Sequence, residues 1–147
     1  MIKIQTNIFD EAKEISQIRL SNLKIGALVT FSGIARDFSD TLNENISSLH
    51  IEHYDRMTQN SLELIESKAK KKWSLDDVLI IHRVGTIIIN EPIVLIVVAS
   101  KHRDDAFDAC RFIIDYLKVE APFWKKEVSN NQSFWVEQKS SDLVKVK

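Results

Sequence analysis

A single cysteine, Cys110, is the chain's whole supply of thiol. One thiol excludes an internal disulfide framework and a cysteine-ligated zinc site, and it fits a reducing compartment. Glycine and proline are scarce too, at three and two among 147 residues, and no repeat, linker or low-complexity segment interrupts the chain. Net charge of either sign is also missing. Twenty Lys and Arg against 21 Asp and Glu leave a formal charge of −1, so the chain as a whole is not a polyanion binder and a basic site must be a local cluster. Long hydrophobic runs are absent. The most apolar stretch, "IVLIVVAS" at 93–100, is far too short to span a bilayer, and "MIKIQTNIFDEAKEI" has no signal-like character, so a cytoplasmic protein without membrane contact is expected. No HExxH, carboxylate cluster or Gly-rich phosphate loop appears, and neither a metal nor a resident cofactor is expected.

What remains is material for a core. Hydrophobic residues make up 44% of the chain, which suits one compact domain over residues 1–147. "FDEAKEISQIRL" spaces Ala12, Ile15 and Ile18 as a helix does, with Asp10 as N-cap. "GALVTFSGI" reads as a strand, 38–47 as a polar loop, and "SSLHIEHY" as a half-buried strand with Leu49, Ile51 and His53 on one side. A second helix, with Thr58 as N-cap, aligns Leu62, Ile65, Ala69 and Trp73, leaving Lys68, Lys70, Lys71 and Lys72 on a solvated face. "DVLIIHRVGTIII" and "PIVLIVVAS" read as two strands joined near Asn90, Glu91 and Pro92. A third helix from about Asp104 to Glu120 turns Phe107, Cys110, Ile113, Ile114 and Leu117 inward and stops at Pro122. "FWKKEV" and "SFWVEQ" form a closing hairpin. The class is mixed α+β.

The basic residues then form local groups. Lys118 lies on the last turn of the third helix, where a cation suits the helix C-terminus and a surface pair with Asp115 is available. Pro122 redirects the chain, and in the following strand Phe123, Lys125 and Glu127 face one way while Trp124, Lys126 and Val128 face the other. Lys125 can thereby return beside Lys118. Two ammonium groups held close repel, which favours a neutral amine on one of them, and such a pair also attracts phosphate. Lys101, His102 and Arg103 sit between the most apolar strand and a helix N-terminus, where anions are favoured, although a solvated loop would look the same. Arg36 projects from the loop after Gly33. His50, His53 and His82 fall in strand patterns and read as sheet or core residues, and Cys110 falls on a core stripe.

"GALVTFSGIARD", "LHIEHYDRMT", "IIHRVGTI", "SKHRDDAFDACRFIIDYLKVEAPFWKKE" and "FWVE" occur in an order and spacing that resembles the large, catalytic subunit of molybdopterin synthase, the MoaE family. The resemblance runs from about Gly26 to Glu137, and "DYLKVEAPFWKKE" is its most specific part. It departs at Asn90, Glu91 and Pro92, where family members usually carry a Gly-containing turn. The resemblance implies an α/β-hammerhead fold with antiparallel sheets and about three helices, a homodimer, and a small ubiquitin-like subunit at each end. It implies transfer of two sulfurs from the thiocarboxylated C-terminal glycine of that small, MoaD-like subunit to cyclic pyranopterin monophosphate, making molybdopterin. Lys118 would be the central catalytic amine and Lys125 its assistant. Arg36, with its neighbours Ile34 and Ala35, would bind substrate, as would His102 and Arg103 from the neighbouring protomer. Lys126 and Glu127 would shape the same substrate-binding strand, and Phe123 and Trp124 would either wall the site or pack it.

Two other classes compete. A nucleic-acid module using Lys68 to Lys72, Lys101, Arg103 and the terminal "KVK" is opposed by the near-zero net charge. A scaffold that only docks a ubiquitin-like protein would use the same lysines as rim contacts.

Overall fold

The computed structural model describes residues 1–130 and 132–137. Its centre is a four-stranded sheet in the order β1 (Ile2–Gln5), β6 (Asp77–Arg83), β8 (Pro92–Ser100), β2 (Ala27–Ile34), with β1 parallel to β6 and the other pairs antiparallel. β6 and β8 are apolar at nearly every position because both faces of the sheet are covered. On one face Val78, Ile80, Val94, Ile96 and Val98 meet α2 (Asp55–Lys72) and α3 (Arg103–Glu120). On the other, Leu79, Ile81, Leu95, Val97 and Ala99 meet Ile15 and Ile18 of α1 (Glu11–Ser21). Asp10 caps α1 as expected, accepting from the Lys13 amide at 3.1 Å.

The segment 77–89 does not run as one strand. At Gly85, with φ of +81°, the chain turns out of the central sheet, a conformation that side-chain-bearing residues resist. β7 (Gly85–Ile88) then joins a second, antiparallel sheet in the order β10 (Ser133–Val136), β9 (Phe123–Val128), β5 (Ser48–His53), β7. Its own core gathers Ile46, Leu49, Ile51, Val84 and Ile87. The turn at Asn90 keeps the left-handed geometry that glycine would supply, with φ of 72°, which asparagine tolerates better than most residues. That turn is bonded in both directions to Ala35: the Ala35 amide donates to the Glu91 carbonyl at 3.0 Å and the Asn90 amide to the Ala35 carbonyl at 2.8 Å. Arg83, buried, donates to the Glu91 carboxylate at 2.7 Å and to the carbonyls of Pro92 and Thr6, locking the same corner from inside.

The opening residues, for which the sequence pattern predicts no element, form β1, a strand too short to announce itself by alternation. Four local expectations are revised. The loop at 38–47 contains a small ladder, β3 (Phe38–Ser39) with β4 (Glu44–Asn45). Phe107 is exposed: the buried stripe of α3 is Ala106, Ala109, Cys110, Ile113 and Leu117, and Phe107 sits about 100° round the helix from Ala106. Asp115 pairs with Arg111 at 2.9 Å.

Thr58 is the fourth. It lies one turn inside α2, whose N-cap is Tyr54, and it is fully buried. Its hydroxyl accepts from the Tyr54 amide and donates to the Pro122 carbonyl, each at 3.1 Å. One hydroxyl thus closes the start of α2 and ties it to the chain just before β9. Thr58→Val preserves the shape but removes both bonds, at a cost of about 1–3 kcal/mol. For a chain of this size the melting temperature should fall by roughly 3–10 °C in thermal unfolding followed by circular dichroism. A melting temperature equal to wild type would refute this role.

Candidate active site

A cleft of about 430 Å³ opens where the end of α3 meets the two sheets. Its lining draws on distant parts of the chain: Ile34 at the end of β2 and Arg36 just after it, His82 at the end of β6, Lys118 in the last turn of α3, Phe123 and Lys125 from β9, and Glu137 just after β10. Two lysines separated by a chain reversal therefore share one wall. The reversal is tight. α3 stops at Ala121, Pro122 forbids another helical turn, and strand alternation then directs Phe123 and Lys125 to the cleft side.

The two aromatic residues of this strand divide the tasks. Phe123 lines the cleft and stacks flat on the His82 ring, with centroids 3.7 Å apart and 12° between planes. Trp124 points to the opposite face and meets Tyr54 edge-on at 4.7 Å. Lys126 also faces away, with its ammonium 5.4 Å from the Trp135 ring centre. Glu127 is buried further along β9, in register with Leu49 on one side and Phe134 on the other. Ala35, only 2% exposed, packs into the second core and holds the backbone between Ile34 and Arg36. Arg36 stands at the rim and pairs with Asp40 at 3.1 Å, both side chains about two-thirds exposed, so water screens the pair and the guanidinium can exchange partners.

His102 and Arg103 do not line this cleft. They lie at the opposite end of α3, where Arg103, its first residue, is fifteen residues before Lys118, or about 22 Å along the helix axis. His102 is the N-cap residue and offers no side-chain cap, while Ser100 holds its backbone through the amide and carbonyl. Both side chains are exposed.

Cys110 is buried in the main core, and burial pushes its thiol up to about 11. A thiol that stays protonated is a poor nucleophile and a poor sulfur carrier. His82 is the cleft residue that sequence reading passed over as sheet or core. Burial, with the positive charges of Lys118 and His53 adding to it, lowers its pKa to about 3 against the opposing effect of a bond to the Arg83 carbonyl. A signal for it existed in strand parity, since His82 follows Val78 and Ile80 on the face that α2 and α3 cover. What parity could not supply was where α3 ends.

Residues 4–120 match the family described as MoaE protein. The molybdopterin synthase catalytic subunit of Ralstonia nicotianae is 44% identical over 141 residues, covering 96% of this chain and 79% of that one. Among solved structures, the molybdopterin biosynthesis MoaE protein of Burkholderia ambifaria superposes with a TM-score of 0.82 at 40% identity, covering 99% of this chain and 97% of that one. A protein–protein complex of subunits 1 and 2 of the Helicobacter pylori molybdopterin-converting factor contains a chain with a TM-score of 0.77 at 26% identity, covering 95% of this chain and 92% of that one. The family match, the sequence identity over almost the whole chain and the shared fold agree, and this chain belongs to the MoaE protein family.

Proposed function

We propose that this chain is the catalytic subunit of a molybdopterin synthase, in which Lys118 and Lys125 act on cyclic pyranopterin monophosphate in the cleft between α3 and β9. The observation that carries the reading is the convergence of Lys118, Lys125 and Arg36 from three separate elements on one cavity. Three cations beside one carboxylate, Glu137, and apolar side chains such as Ile34, Ile51, Leu117 and Phe123 suit a flat heterocycle bearing a cyclic phosphate, because the cations meet the phosphate and the apolar side chains meet the ring. Sulfur must come from outside the chain, since its one thiol is buried and held protonated. A small ubiquitin-like partner supplies it as a C-terminal thiocarboxylate, and each transfer exchanges that sulfur for oxygen, leaving a carboxylate on the donor. The Helicobacter pylori two-subunit complex supports a partner of this kind.

Lys118 is the central amine. It stabilises negative charge as the thiocarboxylate reacts and moves protons at the substrate, while Lys125 keeps the wall cationic and aids phosphate binding. Ile34 packs against substrate and Ala35 sets the path of the segment bearing Arg36. Lys126 and Glu127 act on substrate through the strand they share with Lys125. His102 and Arg103 serve the cleft of a second copy, and their separation from Lys118 along α3 supports a site shared between two protomers. The assembly is a homodimer with one small subunit at each end, working in the reducing cytoplasm.

Three outcomes follow from these roles. The isolated chain should scatter light as a homodimer and as a 2:2 complex once its small subunit is added; a fully active monomer would contradict the shared site. Arg36→Ala and Arg103→Ala should each weaken binding of the cyclic phosphate by roughly 1.5–3 kcal/mol in calorimetry, while the small subunit still docks. Loss of the partner with substrate affinity intact would move these arginines to the protein interface. Lys118→Arg and Lys118→Ala should fold, dimerise and bind the thiocarboxylated partner yet form little or no molybdopterin in a single turnover, because guanidinium keeps the charge but not the amine's shape or proton chemistry. Lys125→Ala should show a similar, milder defect. Near-normal product from Lys118→Arg would return Lys118 to a helix-end cation.

A further inference from the structure

His82 is buried, yet it borders the cleft, and its two ring nitrogens have different surroundings. Nδ1 lies 2.8 Å from the Arg83 carbonyl oxygen, an acceptor only, so Nδ1 carries the hydrogen and donates it. Nε2 is then a lone-pair acceptor in the neutral ring. Every buried side-chain nitrogen and oxygen among the described residues has a hydrogen-bond partner, and the ring's one bond is made by Nδ1. Nε2 is therefore the atom through which the imidazole reaches the cavity. The ring cannot swivel away, because Phe123 lies flat on it.

We propose that His82 is a positioning residue for Lys118: the two side chains line one cleft without a hydrogen bond between them in this structure, and with substrate and partner bound Nε2 accepts one from the Lys118 amine and aims that amine at the reacting group. The inference rests on Lys118 being the catalytic amine. Three features make the imidazole suited to the task. Its tautomer is set by a backbone carbonyl, so the acceptor always faces the cavity. The charged or titratable groups around it are Lys118 from α3 and His53 from β5, the latter joined to Asp55 at 2.9 Å, with Arg36, Lys125 and Glu137 elsewhere on the same cleft; Lys118 and His53 oppose protonation of the ring, as burial does, so it remains an acceptor across the working pH range. Finally, a neutral acceptor orients an ammonium without holding its proton as a carboxylate would, which leaves the amine free to give the proton up.

The test compares three variants in the complete complex with the thiocarboxylated small subunit. His82→Phe keeps the flat ring and its stacking but has no acceptor; His82→Asn can donate to the Arg83 carbonyl but is too short to place an acceptor at the Nε2 position; His82→Gln can extend an amide oxygen to it. Single-turnover molybdopterin formation should fall about tenfold to a hundredfold in the Phe and Asn variants, the loss expected of a misaimed catalytic group, with affinity for cyclic pyranopterin monophosphate and for the partner unchanged. The limb of the pH–rate profile set by Lys118 should move to lower pH in those two variants, because the ammonium form has lost an acceptor. His82→Gln should recover most of the rate and the wild-type profile. If the Phe variant does not fold, the Asn and Gln pair carries the comparison. A wild-type rate and profile in Phe or Asn, or an equal loss in all three with an unmoved profile, would overturn the assignment. If Lys118→Ala itself kept full activity the parent reading would fall, whereas an inactive Lys118→Ala beside a normal His82→Phe would sink this inference alone.

Discussion

The antiparallel pairing of β6 with β8, buried on both faces, is the constraint from which the rest of the molecule is hung. Val78, Ile80, Val94, Ile96 and Val98 need cover on one side, Leu79, Ile81, Leu95 and Val97 on the other, and the chain meets that demand with two helices on one face and α1 on the opposite one. Apolar burial contributes about 25 cal/mol per Å², so a pair of strands this hydrophobic outweighs any local preference of the segments around it. α3 is thereby placed with its last turn bordering the cleft, Leu117 in the core and Lys118 on the cavity wall.

The cleft exists because two sheets part company at that edge. Gly85 turns the chain from the first sheet into the second, and Pro122 turns it from α3 into β9; Arg83 secures the first corner by bonding Thr6, Glu91 and Pro92, and Thr58, 64 residues away, secures the second. Gly33 contributes on the third side. A Cβ there would come within 2.7 Å of a Val94 methyl carbon, so only glycine lets β2 run this close to β8 before it shifts register at Ile34 and releases Arg36 toward the rim. The Asn90–Glu91–Pro92 turn supports Ala35 through its backbone and Arg83 through the Glu91 carboxylate.

Electrostatically, the site is three cations and one carboxylate, Glu137, around an imidazole held neutral, in a protein whose overall charge is nearly balanced. Local concentration matters here because Arg36, Lys118 and Lys125 converge on one cavity, whereas the lysines of α2 spread their charge over Glu66, Glu120 and the rings of Tyr116 and Trp73.

By itself the sequence determined the three helices, the α+β class and the identity of the basic segments, because each depends on short-range periodicity: Asp10 at the start of α1, the Leu62–Ile65–Ala69 stripe of α2, and the alternation that sends Lys125 one way and Lys126 the other. The family resemblance was legible for the same reason, as unbroken motifs. Tertiary structure decided what periodicity cannot carry. A continuous run such as 77–89 has no internal mark for the sheet it joins, so its division at Gly85 was invisible. Thr58 looked like a cap because its second partner, the Pro122 carbonyl, lies 64 residues away. His82 looked like an ordinary strand residue until the end of α3 brought Lys118 to the same cavity, and whether Phe123 and Trp124 wall the site or pack it was open until one stacked on His82 in the cleft and the other met Tyr54 edge-on outside it. Side-chain direction is a local property of helix and strand; which cavity that direction enters is a property of how distant elements pack.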